Sequence, residues 1–375
     1  MKLTAKIKLQ PTPAQADALK RTLAQANAAC DYISRVAWDS RTFAQFKIHA
    51  KVYSDVKVQF GLSAQVTVRA IAKVADAYKL DRNTLRTFKP TGGIAYDSRI
   101  LRYKADSVSI WTVDGRLEIP FLAGDYQSAL LAHQKGESDL ILFQREFYLF
   151  ATCEVPTEPA FEPVDVLGVD LGIVNIATDS DGQTFSGSQV NNVRHRHRRL
   201  RKKLQKKGTK AARRRLKKLS GKERRFASHI NHIISKRIVA KAQGTQRAIA
   251  IEQLNGIRQR VTVRKSQRAT LHSWSFFQLK NFIQYKAQRA GVPLIEVDPR
   301  NTSRECPICG CVDKANRKSQ SSFLCIVCGF AGLADYIASV NIGRRAIVNL
   351  PNASTISPVL TVREHDSVRG KAPAF

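Results

Sequence analysis

The sequence predicts an α/β plus β chain. An N-terminal, β-barrel-like domain carries a helical insertion, and an α/β domain interrupted by a small cysteine-bearing ribbon follows it. Three observations carry that prediction. Short β-branched and aromatic runs separated by turns follow Gly92-Gly93; strands and helices alternate after a proline-rich acidic stretch at 156–163; and two C-x2-C pairs fall close together near the C-terminal end.

In chain order, KLTAKIKLQ alternates apolar and polar residues and opens the chain as a strand. Thr12-Pro13 marks a helix start, and the apolar spacing through Leu19, Leu23, Ala28 and Ile33 continues it. A second helical stretch is read over 63–79. Together these form an insertion, about 14–88, in a first domain spanning 1–155. SVSIWT, GRLEIPF, DLILFQ and EFYLFATCEV are its strands, and PTEPAFEP (156–163) reads as a linker. VDVLGVDLGIVNIATDSDGQTFSG then predicts two strands joined by a tight turn, with DSDG as a further turn. A basic run from Arg194 to Arg225, whose only acid is Glu223, reads as a helical hairpin flowing into HINHIISKRIVAKA. RAIAIEQLN is a buried strand, FFQLKNFIQYKAQRAG a helix, VPLIEVDP a strand and ADYIASVNIGRRAIVNL a helix. The α/β domain is thus assigned to 164–299 and 332–350, the ribbon to 300–331, and 351–375 to a weakly structured tail.

The charge balance points to a polyanion as partner. Lysine plus arginine number 62 against 30 acidic residues, a formal net charge of +32. So one-sided a surface repels itself unless something such as nucleic acid neutralises it. A membrane surface is the competing reading, yet no run of about 18 apolar residues and no signal-peptide core is found. A soluble, cytoplasmic protein is expected. Seven cysteines, an odd count with five crowded into residues 306–328, argue for metal binding in a reducing compartment rather than a disulfide framework.

Cys306-Pro-Ile-Cys309 and Cys325-Ile-Val-Cys328, with fifteen residues between the pairs, have the spacing of two knuckles that place four thiolates around one zinc. Four thiolates close the coordination shell, so such a site folds a ribbon and performs no chemistry. Gly310 and Gly329 suit the turn after each second cysteine. Cys311 reads as a small side chain, not a ligand.

Three carboxylates stand out beside this scaffold: Asp170 in the apolar LGVDLGIVNIATDSDG, Glu252 closing AIAIE, and Asp335 in GLAD just after the last knuckle. A carboxylate within an apolar strand costs free energy that a divalent cation offsets. Paired Mg²⁺ ions bridged by such acids are common machinery for phosphodiester hydrolysis. The order of the three acids resembles that of RuvC-branch, RNase H-like nucleases. More narrowly, residues 164–345 resemble the TnpB family, transposon-encoded RNA-guided nucleases related to the type V CRISPR effectors. The resemblance rests on GVDLGIVNIATDSDG, IAIEQLNGI, VDPRNTSRECPICG with the second knuckle, and GLADYIASVNI. It extends less specifically to KIKLQPTPAQ and to YDSRILRYKADSVSIWTVDGRLEIPF.

The resemblance implies a metal-binding catalytic triad of Asp170, Glu252 and Asp335 holding Mg²⁺ (or Mn²⁺), structural Zn²⁺ on Cys306, Cys309, Cys325 and Cys328, and a RuvC-like domain preceded by a wedge domain. It also implies a guide RNA and a double-stranded DNA target as partners, DNA cleavage in the service of a mobile element, and a prokaryotic, nucleoid-associated location. One departure matters. The family's third motif is aspartate, any residue, asparagine, alanine, alanine, whereas Ile337 and Ser339 stand at two of those places here. Isoleucine cannot hydrogen-bond an acid, so an RNA-guided DNA-binding regulator with weak or no nuclease activity is the alternative, with a guide-free nucleic-acid-binding protein beside it. In the basic run, Arg194, Arg196, Arg198, Arg199, Arg201, Lys202, Lys203, Arg213, Arg214 and Arg215 are candidate phosphate contacts. Arg317 in the ribbon, flanked by Arg300 and Arg304, is a candidate for a scissile phosphate. Trp38, Tyr53, Tyr78 and Trp111 read as core packing rather than stacking residues. His195-Arg-His197 lacks the apolar centre of a transposase histidine pair, and His272-Ser273-Trp274 reads as structural.

Overall fold

β1 (Lys2–Leu9) buries Ala5, Ile7 and Leu9 and exposes Lys6, the alternation of a strand with one face on a core. Residues 1–253 and 276–348 are described in this computed structural model, and the chain divides into two units, Met1–Pro156 and Thr157 onward. In the first unit, helix α1 (Pro13–Asp39) starts from a capping box: the Thr12 hydroxyl accepts the Gln15 N–H, and the Gln15 side chain accepts the Thr12 N–H. α2 (Gln45–Phe60) and α3 (Ala64–Leu80), the latter capped by Ser63, complete a three-helix insertion between β1 and β2.

The remaining elements of this unit are β2 (Ile94–Tyr96), β3 (Leu101–Tyr103), β4 (Ser107–Thr112), β5 (Gly115–Leu122), α4 (Asp125–Leu131), β6 (Gln134–Phe143) and β7 (Glu146–Glu154). The seven strands form a nearly closed antiparallel sheet in the order β2-β6-β7-β1-β5-β4-β3. One core joins Ile7, Ile110 and Leu149 of the sheet to Leu23, Val52 and Val74 of the helices. Tyr78 is wholly buried there, and Trp38, Tyr53 and Trp111 pack against it.

The second unit contains β8 (Asp165–Asp170), β9 (Asn175–Asp179), β10 (Thr184–Ser186), α5 (Ser188–Lys207), α6 (Lys210–Leu219), α7 (Lys222–Gly244), β11 (Arg247–Glu252), α8 (Phe276–Arg289), β12 (Leu294–Val297), β13 (Ser322–Leu324), β14 (Ala331–Leu333) and α9 (Ala334–Ile347). β10, which follows the DSDG turn, was not expected from the sequence. The order of the main sheet is β10-β9-β8-β11-β12. β8 runs antiparallel to β9 and parallel to β11, which is parallel to β12. α7 and α8 cover one face with Leu167, Val169, Ile249 and Ile251, and α9 covers the other over Val166, Ala248 and Ala250. Burial on both faces is why β8 and β11 read as continuous apolar runs.

α9 lies so close to β8 that a Cβ on Gly168 would sit 2.0 Å from the Ser339 carbonyl oxygen and 2.6 Å from the Gly343 nitrogen. The stretch 156–163 forms no helix or strand, yet it is not a free tether. The Glu158 and Phe161 N–H groups donate to the Arg289 and Gly291 carbonyls, and Phe161 packs on the α7–α8 side of the sheet. The end of IAIEQLNGI beyond Gln253, His272-Ser273-Trp274 and the tail at 351–375 lie outside the described residues.

Candidate functional site

Parallel pairing of β8 and β11 sets Val169 opposite Ile251, so Asp170 and Glu252, each one residue further, leave the sheet at the same end. Asp335 stands in the first turn of α9, the helix packed over those strands. Burial, reinforced by the negative charges of Glu252 and Asp335 and opposed by Arg317, pushes the Asp170 carboxyl up to about 8. Burial raises Glu252 as well, against the opposing hydrogen bond from Thr302. Two carboxyls that resist ionising beside a third are a donor set suited to a divalent cation, whose charge would reverse that resistance. Their oxygens are not gathered as tightly as the cysteine sulfurs described below, the one set of three or more ligand atoms among the described residues lying within 4.8 Å of one another.

Neighbouring side chains hold two of the acids. The Thr302 hydroxyl, itself buried, donates to Glu252 Oε1 at 2.5 Å, and the Thr302 carbonyl accepts Asn341 Nδ2 at 2.8 Å. Asn175 Nδ2 donates to Asp335 Oδ2 at 2.8 Å, while Arg317 Nη2 stands 3.8 Å from Asp335 Oδ1 and donates to the Gln320 carbonyl. Arg317 also lines a cavity of about 340 Å³ with Arg304, Lys314, Ser319 and Gln320. Sequence reasoning missed Asn175, Thr302 and Asn341. All three lie inside the motifs quoted above, Asn175 and Asn341 in those of an acid and Thr302 in that of the first knuckle, but their spacing says nothing of what they touch.

The four cysteines come together. Cys306 and Cys328 sulfurs are 3.5 Å apart, as are those of Cys309 and Cys325. A thiolate tetrahedron with metal–sulfur bonds of about 2.3 Å has edges of roughly 3.8 Å, so this set fits zinc. Gly310 and Gly329 take φ of 72° and 73°, the left-handed turn expected after each second cysteine. Cys311 is outside the set. Asn316, fully buried, ties the knuckles together by donating to the Arg304 and Cys311 carbonyls and accepting the Ile326 N–H. Ile337 is 1% exposed and packs with Cys306, Phe323, Cys325 and Ala334. It belongs to the ribbon's apolar core, and the donor to Asp335 comes from β9 instead.

Arg196, Arg198, Arg199, Lys202 and Lys203 on α5 and Arg213, Arg214 and Arg215 on α6 are exposed. Arg194 is a correction to the expected phosphate contacts. It is buried, donates to Asn191 Oδ1 at 3.2 Å and lies 3.5 Å from the Glu223 carboxylate, because the run's single acid folds back onto it. Arg201 shares that acid at 3.0 Å but stays half exposed. No helix among the described residues is long and apolar enough to cross a membrane.

Residues 150–256 match the family described as probable transposase (OrfB_IS605), and residues 276–342 match the Cas12f1-like TNB domain. The chain is 26% identical over 264 residues to the TnpB-like protein MJ0751 of Methanocaldococcus jannaschii, covering 66% of this chain and 93% of that one. It is 30% identical over 206 residues to the CRISPR-associated endodeoxyribonuclease Cas12f1 of Syntrophomonas palmitatica, covering 50% of this chain and 40% of that one. The chain therefore spans less than half the length of this second relative. Its fold resembles that of Cas12f1 in a cryo-EM complex with sgRNA and target DNA, at a TM-score of 0.60, 14% identity and coverage of 88% of this chain and 83% of that one. It also resembles the mini-RNA-guided endonuclease Cas_phi3, at 0.58, 11% identity and coverage of 92% of both chains. Two family matches almost wholly within the second unit, a TnpB-like relative covered over 93% of its length and this shared fold make the chain similar to TnpB-like and Cas12f proteins.

Proposed function

We propose that this protein is an RNA-guided DNA endonuclease of a mobile element, with Asp170, Glu252 and Asp335 as its catalytic carboxylates. The observation that carries the reading is the meeting of Asp170 and Glu252 at one end of adjacent parallel strands, under the helix whose first turn carries Asp335. The strand order β10-β9-β8-β11-β12, antiparallel then parallel, supports an RNase H-like, RuvC-type domain. The relatives' names supply the substrate class: a Cas12f1 endodeoxyribonuclease, and a complex of sgRNA and target DNA. The first unit is then the wedge domain with its helical insertion, and 300–331 a zinc ribbon held by Cys306, Cys309, Cys325 and Cys328.

Mg²⁺ or Mn²⁺ held by the three carboxylates would supply charge stabilisation and water activation for phosphodiester hydrolysis. The chain's own residues do the rest. The exposed cations of α5 and α6 bind the phosphates of the RNA and its heteroduplex with DNA, reading shape and charge while base pairing selects the sequence. Arg317, with Arg304 and Lys314 beside it, takes a phosphate next to the acids. Thr302 orients Glu252.

The test is to express the gene with its downstream DNA, purify the protein in high salt, sequence the bound RNA and assay matched DNA for cleavage. A single RNA with a fixed scaffold and variable end, plus metal-dependent cleavage lost in Asp170→Ala, is the expected result. A defined RNA without cleavage would establish a guided DNA-binding regulator instead. A random RNA mixture would overturn the guided reading.

A further inference from the structure

We infer that Asn175 is the positioning residue for Asp335, a role that rests on the reading of Asp335 as a metal-holding carboxylate. The bond from Asn175 Nδ2 to Asp335 Oδ2, 2.8 Å long, joins residues 160 positions apart. Among the described residues Asn175 is the hydrogen-bond donor to this carboxylate, since Arg317 remains at 3.8 Å from the other oxygen. Ile337, two residues along α9, does not do this work, because it packs in the ribbon's apolar core.

The turn that presents Asn175 is braced on three sides. The Gly172 N–H donates to the Ile176 carbonyl at 3.3 Å, Asn191 Nδ2 donates to the Ile173 carbonyl at 3.2 Å, and the Gly187 N–H donates to the Val174 carbonyl at 2.8 Å. Space is tight there. A Cβ on Gly172 would come within 2.6 Å of the Asn175 carbonyl oxygen. The asparagine amide is therefore offered from fixed backbone, while Asp335 is offered from the start of a helix.

An amide suits this task better than a cation. It donates an N–H and carries no charge, so it fixes the carboxylate plane without competing with a bound ion for its negative charge. One lone pair of Oδ2 is engaged, and among the described residues no hydrogen bond reaches Oδ1. An aspartate at the first turn of a helix would otherwise swing through its side-chain rotamers, and a divalent site loses affinity when one ligand must be ordered on binding.

The test uses the full chain with its bound RNA and measures Mn²⁺ affinity by titration calorimetry, single-turnover cleavage across Mn²⁺ concentration, and the thermal midpoint. Asn175→Leu keeps the size and removes the donor, and Asn175→Ala repeats the test if leucine fails to fit. The expected result is Mn²⁺ binding weakened about 10- to 100-fold, as for other residues that orient metal ligands. Cleavage should be partly restored at high Mn²⁺, with the midpoint unchanged. In an Asp335→Asn background the same substitution should weaken Mn²⁺ binding no further. Wild-type affinity in both Asn175 variants, or a loss that persists in the Asp335→Asn background, would overturn the role. Asp170→Ala separates the two levels. If it binds Mn²⁺ as the wild type does, the metal-site reading fails and this role falls with it; if it does not, an unaffected Asn175→Leu removes this role alone.

Discussion

In the metal-free protein the Asp170 carboxyl titrates at about 8, raised by burial and by Glu252 and Asp335, whereas an unfolded aspartate titrates near 3.8. Between those values the folded protein holds a proton that the unfolded chain has released, so this residue makes stability fall as pH rises from about 4 to about 8. Asp170→Asn removes the cost. It is expected to raise the metal-free thermal midpoint at pH 8, with the gain fading towards pH 4, as calorimetric scans at both ends would register. At this scale the sequence was only partly legible. Asp170 and Glu252 were visible because a charge in an apolar run is conspicuous. Asn175 was not, because its partner is 160 residues away and asparagine is unremarkable in a turn. Arg194 was misread because composition cannot say which face of a basic helix meets the one acid nearby.

Among elements, the knuckles and α9 share a small apolar core in which Ile337 and Ala334 touch the side of Cys306 and Cys325. The ribbon is thus continuous with the first turn of the helix that bears Asp335. Stripping metal with a chelator, or Cys325→Ser, is expected to raise amide hydrogen exchange across 306–328 and also in the first turn of α9. The last turn of α9 should be spared, because Arg345 ties it to the Asp298 and Arg300 carbonyls and to the Glu305 carboxylate. Elements with strong periodicity or spacing were readable in advance, β8, β11 and the cysteine pairs above all. β10 was missed, since three residues after a turn show no period. The 156–163 stretch read as a linker because prolines dominate it, although Phe161 pins it to a core.

Across the whole molecule, the charge of +32 is concentrated where acids are scarce. Replacing Arg213, Arg214 and Arg215 by glutamine should flatten the salt dependence of duplex DNA binding, lowering the log–log slope by roughly 3 if each meets a phosphate. Arg194→Gln should leave that slope unchanged, and binding isotherms from 50 to 200 mM salt separate the two. Glu223 gives this charge a further consequence. By clamping Arg194 and Arg201 from α7, it supplies the helices with an internal counter-ion before any polyanion arrives. The cationic surface is then preorganised, and binding carries no folding penalty for those helices. Association can approach the electrostatically steered limit, instead of waiting on a coupled folding step.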